Sequence, residues 1–571
     1  MPVFFNGQLL VTPTVQSLVD DSQMYNRNPA VGNIVALIGR AEGGEPKVPL
    51  VLRSPAHAKE VLRDGELLTA VRKAFAPSNA THGPSRIVAM RVNPAVQAEL
   101  TLVDGSAGDA IDLKATDYGI WTNQIKVKVE SGTTAGKRLT TQVGNAYFTK
   151  DNVARSAFTV TYTGAQATAT ITASNTQILL HAPALTLVAT IELSEYGTVQ
   201  EVVDRINVTT GFSATVTAGS ANTATLNGLD AVAATSCKTP TVYDVRADLQ
   251  ACIDWFNGSA EGFITAVRPA TASKVPANLA FTYLTGGSNG TVTNTDWDDC
   301  FVALESEDVQ WVVPVVGDAS IHAMADAHVH FMSGVGKRER RAFVGGNLGV
   351  TQSSAAAAAA TINSDRTAYC YPGLYDYDAT GELTLYAPYI LAAQVAGGFG
   401  GVNPGTPLTN KPLTVRGMEL DLKEPADTDF MIDSRILCVT KSPKGDYRVV
   451  KSISTWQSDS KYNRVEVSTG AATDFVARNV REALQDFIGA KGSPESLHAI
   501  ASRTDSILAE LARPEPAGPG VIVGDRINPP YRNITVELEG DVVRVEFECS
   551  PVIPINYVLV TIHAVPYSGR V

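Results

Sequence analysis

The stretch HAMADAHVH holds the sharpest candidate for chemistry in the chain: His322, Asp326, His328 and His330. On a helix, His322, Asp326 and His330 fall at i, i+4 and i+8 on one face, and two imidazoles with a carboxylate can ligate zinc. His328 points away from that face, and no carboxylate cluster nearby would orient the imidazoles. The expectation is therefore a helix packed on a sheet with polar residues at its edge, and no metal. Other reactive patterns fail on spacing. SGVGKRER lacks the first glycine and the hydroxyl of a phosphate loop, and GGFGGVNPG has no strand before it or helix after it. No nucleophile elbow is expected. Asp298 and Asp299 read as solvated or capping residues. No catalytic residue, cofactor or metal is expected, and the chain does not read as an enzyme. Arg478, Arg481 and Lys491 could form a partner-facing basic face, unless Arg478 simply pairs with Glu482 at i, i+4.

A second kind of chemistry is adhesion. SPVIPINYVLVTIHAV, residues 550–565, is strand-like and apolar at nearly every position. Val558, Val560 and Ile562 point to one side, and Ile555, Tyr557 and Leu559 to the other. Such a strand must be covered on both faces, inside this molecule or by other copies, because an unpaired apolar strand pairs with whatever chain it meets.

These segments need bodies to carry them. With 571 residues the chain exceeds one hydrophobic core, and 44% hydrophobic with 18% charged residues is a globular composition. A formal net charge of −12 argues against general nucleic-acid binding and against an anionic membrane surface. The six cysteines form no CxxC pair and read as buried free thiols of a protein folded in a reducing cytoplasm. The start MPVFFNGQLL has no basic region ahead of an apolar core, so a secretory signal is not expected. LYAPYILAAQVAGGFGG is too short and glycine-interrupted to span a bilayer.

Along the chain, residues 1–27 read as an extended arm containing TPTVQSLVDD. Alternating strands and helices from 28 to 100 and again from 236 to 415 imply one discontinuous α/β domain. Between them, 101–235 is rich in period-2 runs such as IKVKVES and FTVTYTG, an all-β insertion. Within the resumed α/β part, VYDVRADLQACIDWFN reads as a helix. Residues 416–550 read as a compact α+β domain, with two helices and the hairpin NITVELEGDVVRVEFECS, and 551–571 as a terminal strand or arm.

The order of these segments resembles the contractile tail sheath proteins of myovirus-type bacteriophages and, more distantly, the sheaths of pyocins and type VI secretion systems. GNIVALIGRAEGGEPKVPLVLRSPAHAKEVL with ELLTAVRKAF and RIVAMRV looks like the family's N-terminal segment. LTGGSNGTVTNTDW, ESEDVQWVVPVV and HVHFMSGVGKRERRAFVGG look like its middle domain. APYILAAQVAGGFGG and the stretch from TDFVARNVREALQDFIG through SPVIPINYVLVTIHAV look like its C-terminal domain. The resemblance implies a virion tail component, assembled in the host cytoplasm. Its copies would form stacked hexameric rings around an inner tail tube protein, with baseplate and tail terminator proteins as further partners. It implies contraction that drives the tube through the host envelope for genome ejection, no nucleic-acid partner and no membrane insertion. The C-terminal domain would lie near the tube, with Arg478, Arg481 and Lys491 as tube-facing candidates, while the insertion faces outward. Terminal arms would exchange strands between subunits through Val15, Leu18 and Val19 at one end and Ile555, Tyr557, Val558, Leu559, Val560 and Ile562 at the other. A static surface or shell-forming polymer is the alternative.

Overall fold

The computed structural model describes residues 33–258, 262–565 and 567, with the backbone of two short strands, Val3–Phe5 and Gln8–Leu10. Val15, Leu18 and Val19 lie outside the described residues.

A nine-stranded sheet forms the centre. Six strands run parallel in the order Ile436–Lys441, Thr367–Tyr371, Arg341–Gly345, Trp311–Pro314, Val35–Gly39 and Ile87–Arg91. Antiparallel strands close both ends: Leu50–Leu52 beside Ile87–Arg91, and Tyr447–Val449 followed by Pro412–Leu413 beside Ile436–Lys441. The parallel strands are buried on both faces, which is why VALIG, IVAMR and WVVP read as continuous apolar runs. Val35, Leu37, Trp311, Val313 and Phe343 face one helix layer, made by Pro55–Leu62, Glu66–Phe75 and Pro388–Gly400. Ala36, Ile38, Val312 and Ala342 face the other, in which Asn294–Leu304 and Ala319–Gly334 lie. Ser54 caps Pro55–Leu62 and Asp318 caps Ala319–Gly334 by accepting from backbone N–H groups.

The membrane-like stretch is the helix Pro388–Gly400, whose residues are buried with the exception of Tyr389. Its apolar composition serves a core position between strands and helix Glu66–Phe75. Among the described residues no helix is long and apolar enough to cross a membrane.

Sheet membership corrects three expectations. The insertion does not end at 235. Strands Ile264–Val267 and Leu279–Tyr283 pair with Asp109–Ala115 and Lys126–Ser131, and helix Asp248–Gly258 buries Leu249, Cys252, Ile253 and Phe256 against the same core. The insertion therefore runs from about 96 to 288, where Val96 and Ser288 exchange backbone hydrogen bonds of 2.8 and 3.2 Å. It holds two nested β modules: an outer one around Leu102, Ile111, Val127 and Phe256, and an inner one around Phe158, Ile178 and Val203. VYDVRADLQACIDWFN is not one helix; Tyr243–Arg246 is a strand on Ser156–Tyr162 and the helix starts at Asp248. The α+β end likewise does not begin at 416, because Ile436–Lys441 and Tyr447–Val449 complete the central sheet. In each case strand and helix look the same locally whichever body owns them, and distant pairing decides ownership.

The C-terminal body consists of helices Val467–Leu484 and Pro494–Leu511 and the hairpin Tyr531–Glu539/Val542–Cys549, around Phe475, Val476, Leu508 and Val521.

Candidate assembly interface

The histidine-bearing helix is where the sequence placed it; His330 Nε2 lies 3.7 Å from Asp326 and 3.8 Å from Asp365, but His322 and His328 go to other partners. His322 is buried and its Nε2 lies 3.0 Å from the Val316 carbonyl. His328 is buried on the opposite side and accepts from Arg340 Nη1 at 2.8 Å, so its proton sits on Nδ1. Burial, with the Arg340 charge added, depresses His328 to about 3, and burial lowers His322 as well. His330 bonds Ser364 Oγ at 3.0 Å, and Asp326 accepts from Thr367 Oγ1 at 2.6 Å. Among the described residues no group of three or more His, Cys, Asp or Glu is placed to hold a metal ion. The cysteines are free, with Cys549 alone partly exposed. Burial pushes the thiols of Cys252, Cys300 and Cys438 up to about 12, which keeps them protonated and unreactive.

The basic residues of helix Val467–Leu484 are turned inward, onto the α/β body. Arg478 reaches Asp308 at 2.7 Å, with its side chain only 11% exposed, and Arg481 pairs with Glu339. The intrahelical Arg478–Glu482 pair is replaced by these longer-range ones. Lys491 is exposed. From the same helix, Asp474 takes Arg341 Nε at 3.0 Å and both terminal nitrogens of Arg366 at 3.1 and 3.2 Å. The Arg341 guanidinium lies so close to Gly470 that a Cβ there would sit 2.1 Å from it, which accounts for a glycine inside this helix. Sequence reasoning missed Asp474, Arg341 and Arg366; the glycine within VSTGAATD was the one local signal.

At the far side of this body the terminal segment runs free of the chain. Val552 still donates to Val521 at 3.0 Å, and Asn556 reaches the buried Glu466 at 2.9 Å. Beyond that, Val558, Leu559, Val560 and Ile562 are 75–94% exposed, and Ile555 and Tyr557 are comparably open. The segment is thus sealed on neither face by the described residues of its own molecule. The neighbouring hairpin is a two-stranded sheet. Its apolar face, with Ile534, Phe547 and Cys549, packs on the helices, while Leu538 and Val542 are exposed near the turn. A cleft of about 830 Å³ runs along Lys461–Asn463, Thr469 and Thr473 and the stretch Phe547–Ile553. Among the described residues, an open strand edge, this cleft and a bare apolar segment lie side by side.

The architecture is a mixed α/β multidomain one, and solved sheath proteins share it. The sheath tail protein of Desulfitobacterium hafniense superposes with a TM-score of 0.57 at 13% identity, covering 94% of this chain and 97% of that one. No model of a known protein family matches the chain. Curated relatives do: the tail sheath protein of Bacillus phage SP01 is 28% identical across 100% of this chain and 98% of its own length. A putative tail sheath protein of Enterococcus phage phiEF24C is 27% identical, with 96% of each chain covered. The chain is thus a full-length relative of phage tail sheath proteins, as the order of its segments led one to expect.

Proposed function

We propose that this chain is the subunit of a contractile tail sheath, polymerised as stacked hexameric rings around an inner tube and joined by strand exchange. The carrying observation is the bare terminal segment, residues 553–565, on a body whose hairpin has open edges. Covering six such side chains, at about 1.5–3 kcal/mol each, supplies on the order of 10 kcal/mol toward assembly. Strand addition fixes register as well, through backbone hydrogen bonds and pockets for alternate side chains. In this reading Ile555, Tyr557, Val558, Leu559, Val560 and Ile562 of one copy lie along the hairpin of the next. Val15, Leu18 and Val19 serve the other arm. Lys491 and the half-exposed Arg481 are left to face the tube. Two different arms make head-to-tail contacts that propagate as a helix. Contraction then repacks rigid bodies while the arms keep copies linked, pushing the tube through the host envelope without a nucleotide.

The test is electron microscopy of the purified full-length chain, alone and with its tube protein, beside a variant lacking residues 551–571. Hollow six-fold cylinders that vanish in the truncated but folded variant support the reading. A full-length chain that stays monomeric in every condition refutes it.

A further inference from the structure

The outer module of the insertion carries a surface that the strand-exchange reading does not use. One face of its sheet, formed by Ala146–Val153, Lys137–Val143, Lys126–Ser131 and Leu279–Tyr283, covers the module's core through Val127, Val129 and Leu139. On the opposite face Tyr147, Gln142, Lys126 and Tyr283 stand in one cross-strand row. Tyr147, Phe281 and Tyr283 are 61, 39 and 52% exposed, and the Tyr147 and Phe281 rings meet edge-on at 6.4 Å. Lys126 Nζ lies 5.1 and 5.4 Å from the Phe281 and Tyr283 ring centres, and Lys128 Nζ 5.5 Å from that of Phe281. Lys126 has no carboxylate within ion-pair distance among the described residues, whereas Lys128 has Glu130 at 2.7 Å. This is an exposed aromatic platform with a positive charge, on a chain whose net charge is −12.

Its physical complement lies on the α/β body. Beside helix Ala426–Asp433 a groove of about 710 Å³ is floored by Val350 and Tyr371 and rimmed by Glu419, Leu420, Asp427 and Phe430. Leu420 and Phe430 are 41 and 43% exposed. Around them Asp421, Glu424, Asp429 and Asp433 are exposed, with no cation within ion-pair distance among the described residues. Within one chain no hydrogen bond or ion pair joins groove and platform among the described residues. We infer that the Lys126/Phe281/Tyr283 platform of one copy seats in the Phe430/Asp427 groove of a second copy, a contact between copies that is additional to strand exchange. The match is of both kinds: aromatic rings against apolar walls, and the Lys126 ammonium against carboxylates that have no cation within ion-pair distance among the described residues, Asp427 accepting only from the Lys423 backbone N–H at 2.8 Å. Because the two surfaces differ, the contact is head-to-tail and extends a polymer rather than closing a dimer.

This inference rests on the polymer reading, and its test separates the two. Polymer formed from an equal mixture of ¹⁵N-labelled and unlabelled full-length chains is treated with a carbodiimide, which joins amines only to carboxylates they already touch. Mixed-label peptides linking Lys126 or Lys128 to Asp427, Asp429 or Asp433 are expected. The charge reversal K126E/K128E should raise the concentration needed for assembly by about ten-fold or more, and adding D427K/D429K should bring it back to within about three-fold of the parent. Unchanged melting of the monomeric variants shows that they fold. Polymer without those linkages, or reversals that neither weaken nor rescue assembly, overturns the contact and leaves the sheath reading standing. No polymer from the parent chain overturns both.

Discussion

At the residue scale, Asp474 is the most exposed to a single change in charge. Its carboxylate answers Arg341, whose side chain is 5% exposed, and Arg366. Asp474→Asn leaves the buried Arg341 and the partly buried Arg366 short of a partner, and a loss of about 3–5 kcal/mol is expected in urea denaturation of the monomer. His328 gives a pH dependence. Its folded-state value of about 3 lies below the 6.5 of an unperturbed histidine, so the unfolded chain takes the proton first. Its contribution is complete above the unfolded value and falls away as pH drops from 6.5 toward 3. The expected slope is about 1.4 kcal/mol per pH unit per proton, and His328→Gln, which keeps an acceptor for Arg340, should flatten that acid limb in denaturation midpoints. The sequence revealed that His322, Asp326 and His330 share a helix face, since that is a matter of spacing. It could not reveal that Arg478 bonds Asp308, 170 residues away, because local rules supply only the neighbour Glu482.

At the scale of elements, helices Pro388–Gly400 and Glu66–Phe75 approach each other closely. A Cβ on Gly397 would fall 2.2 Å from the Ala74 carbonyl oxygen. Gly397→Ala should therefore destabilise by about 1–3 kcal/mol, read as a lowered Tm, although alanine is the better helix former by about 1 kcal/mol. Helix Ala319–Gly334 and the strand Ile87–Arg91 were legible because their periodicity and caps are local. The limits of the bodies were not. Strand Tyr243–Arg246 and helix Asp248–Gly258 repeat the texture of the α/β layer, and only their pairing with Ser156–Tyr162 and packing beside Asp109–Ala115 assign them to the insertion.

For the whole molecule, the adjacency of Val96 and Ser288 makes the insertion separable. Replacing 96–288 by a short glycine-serine turn should leave a cooperatively melting α/β and C-terminal core, checked by circular dichroism, even though Arg91 loses its bond to the Tyr118 carbonyl. If platform and groove meet between copies, this excised core should also polymerise more weakly. The inner module repeats the arrangement: Ser156 pairs with Arg246, and Ala247 donates to the Arg155 carbonyl at 2.9 Å, where the chain enters and leaves it. Each module of the insertion therefore hangs from its neighbour by two covalent crossings laid side by side and stitched together. Tension across such a joint divides between two backbones, and a protease that severs one of them leaves the bodies tethered by the other. A single cut at either joint of the insertion would thus pass without loss of the load path, a tolerance that a bead-on-a-string arrangement of the α/β body and these two modules would lack.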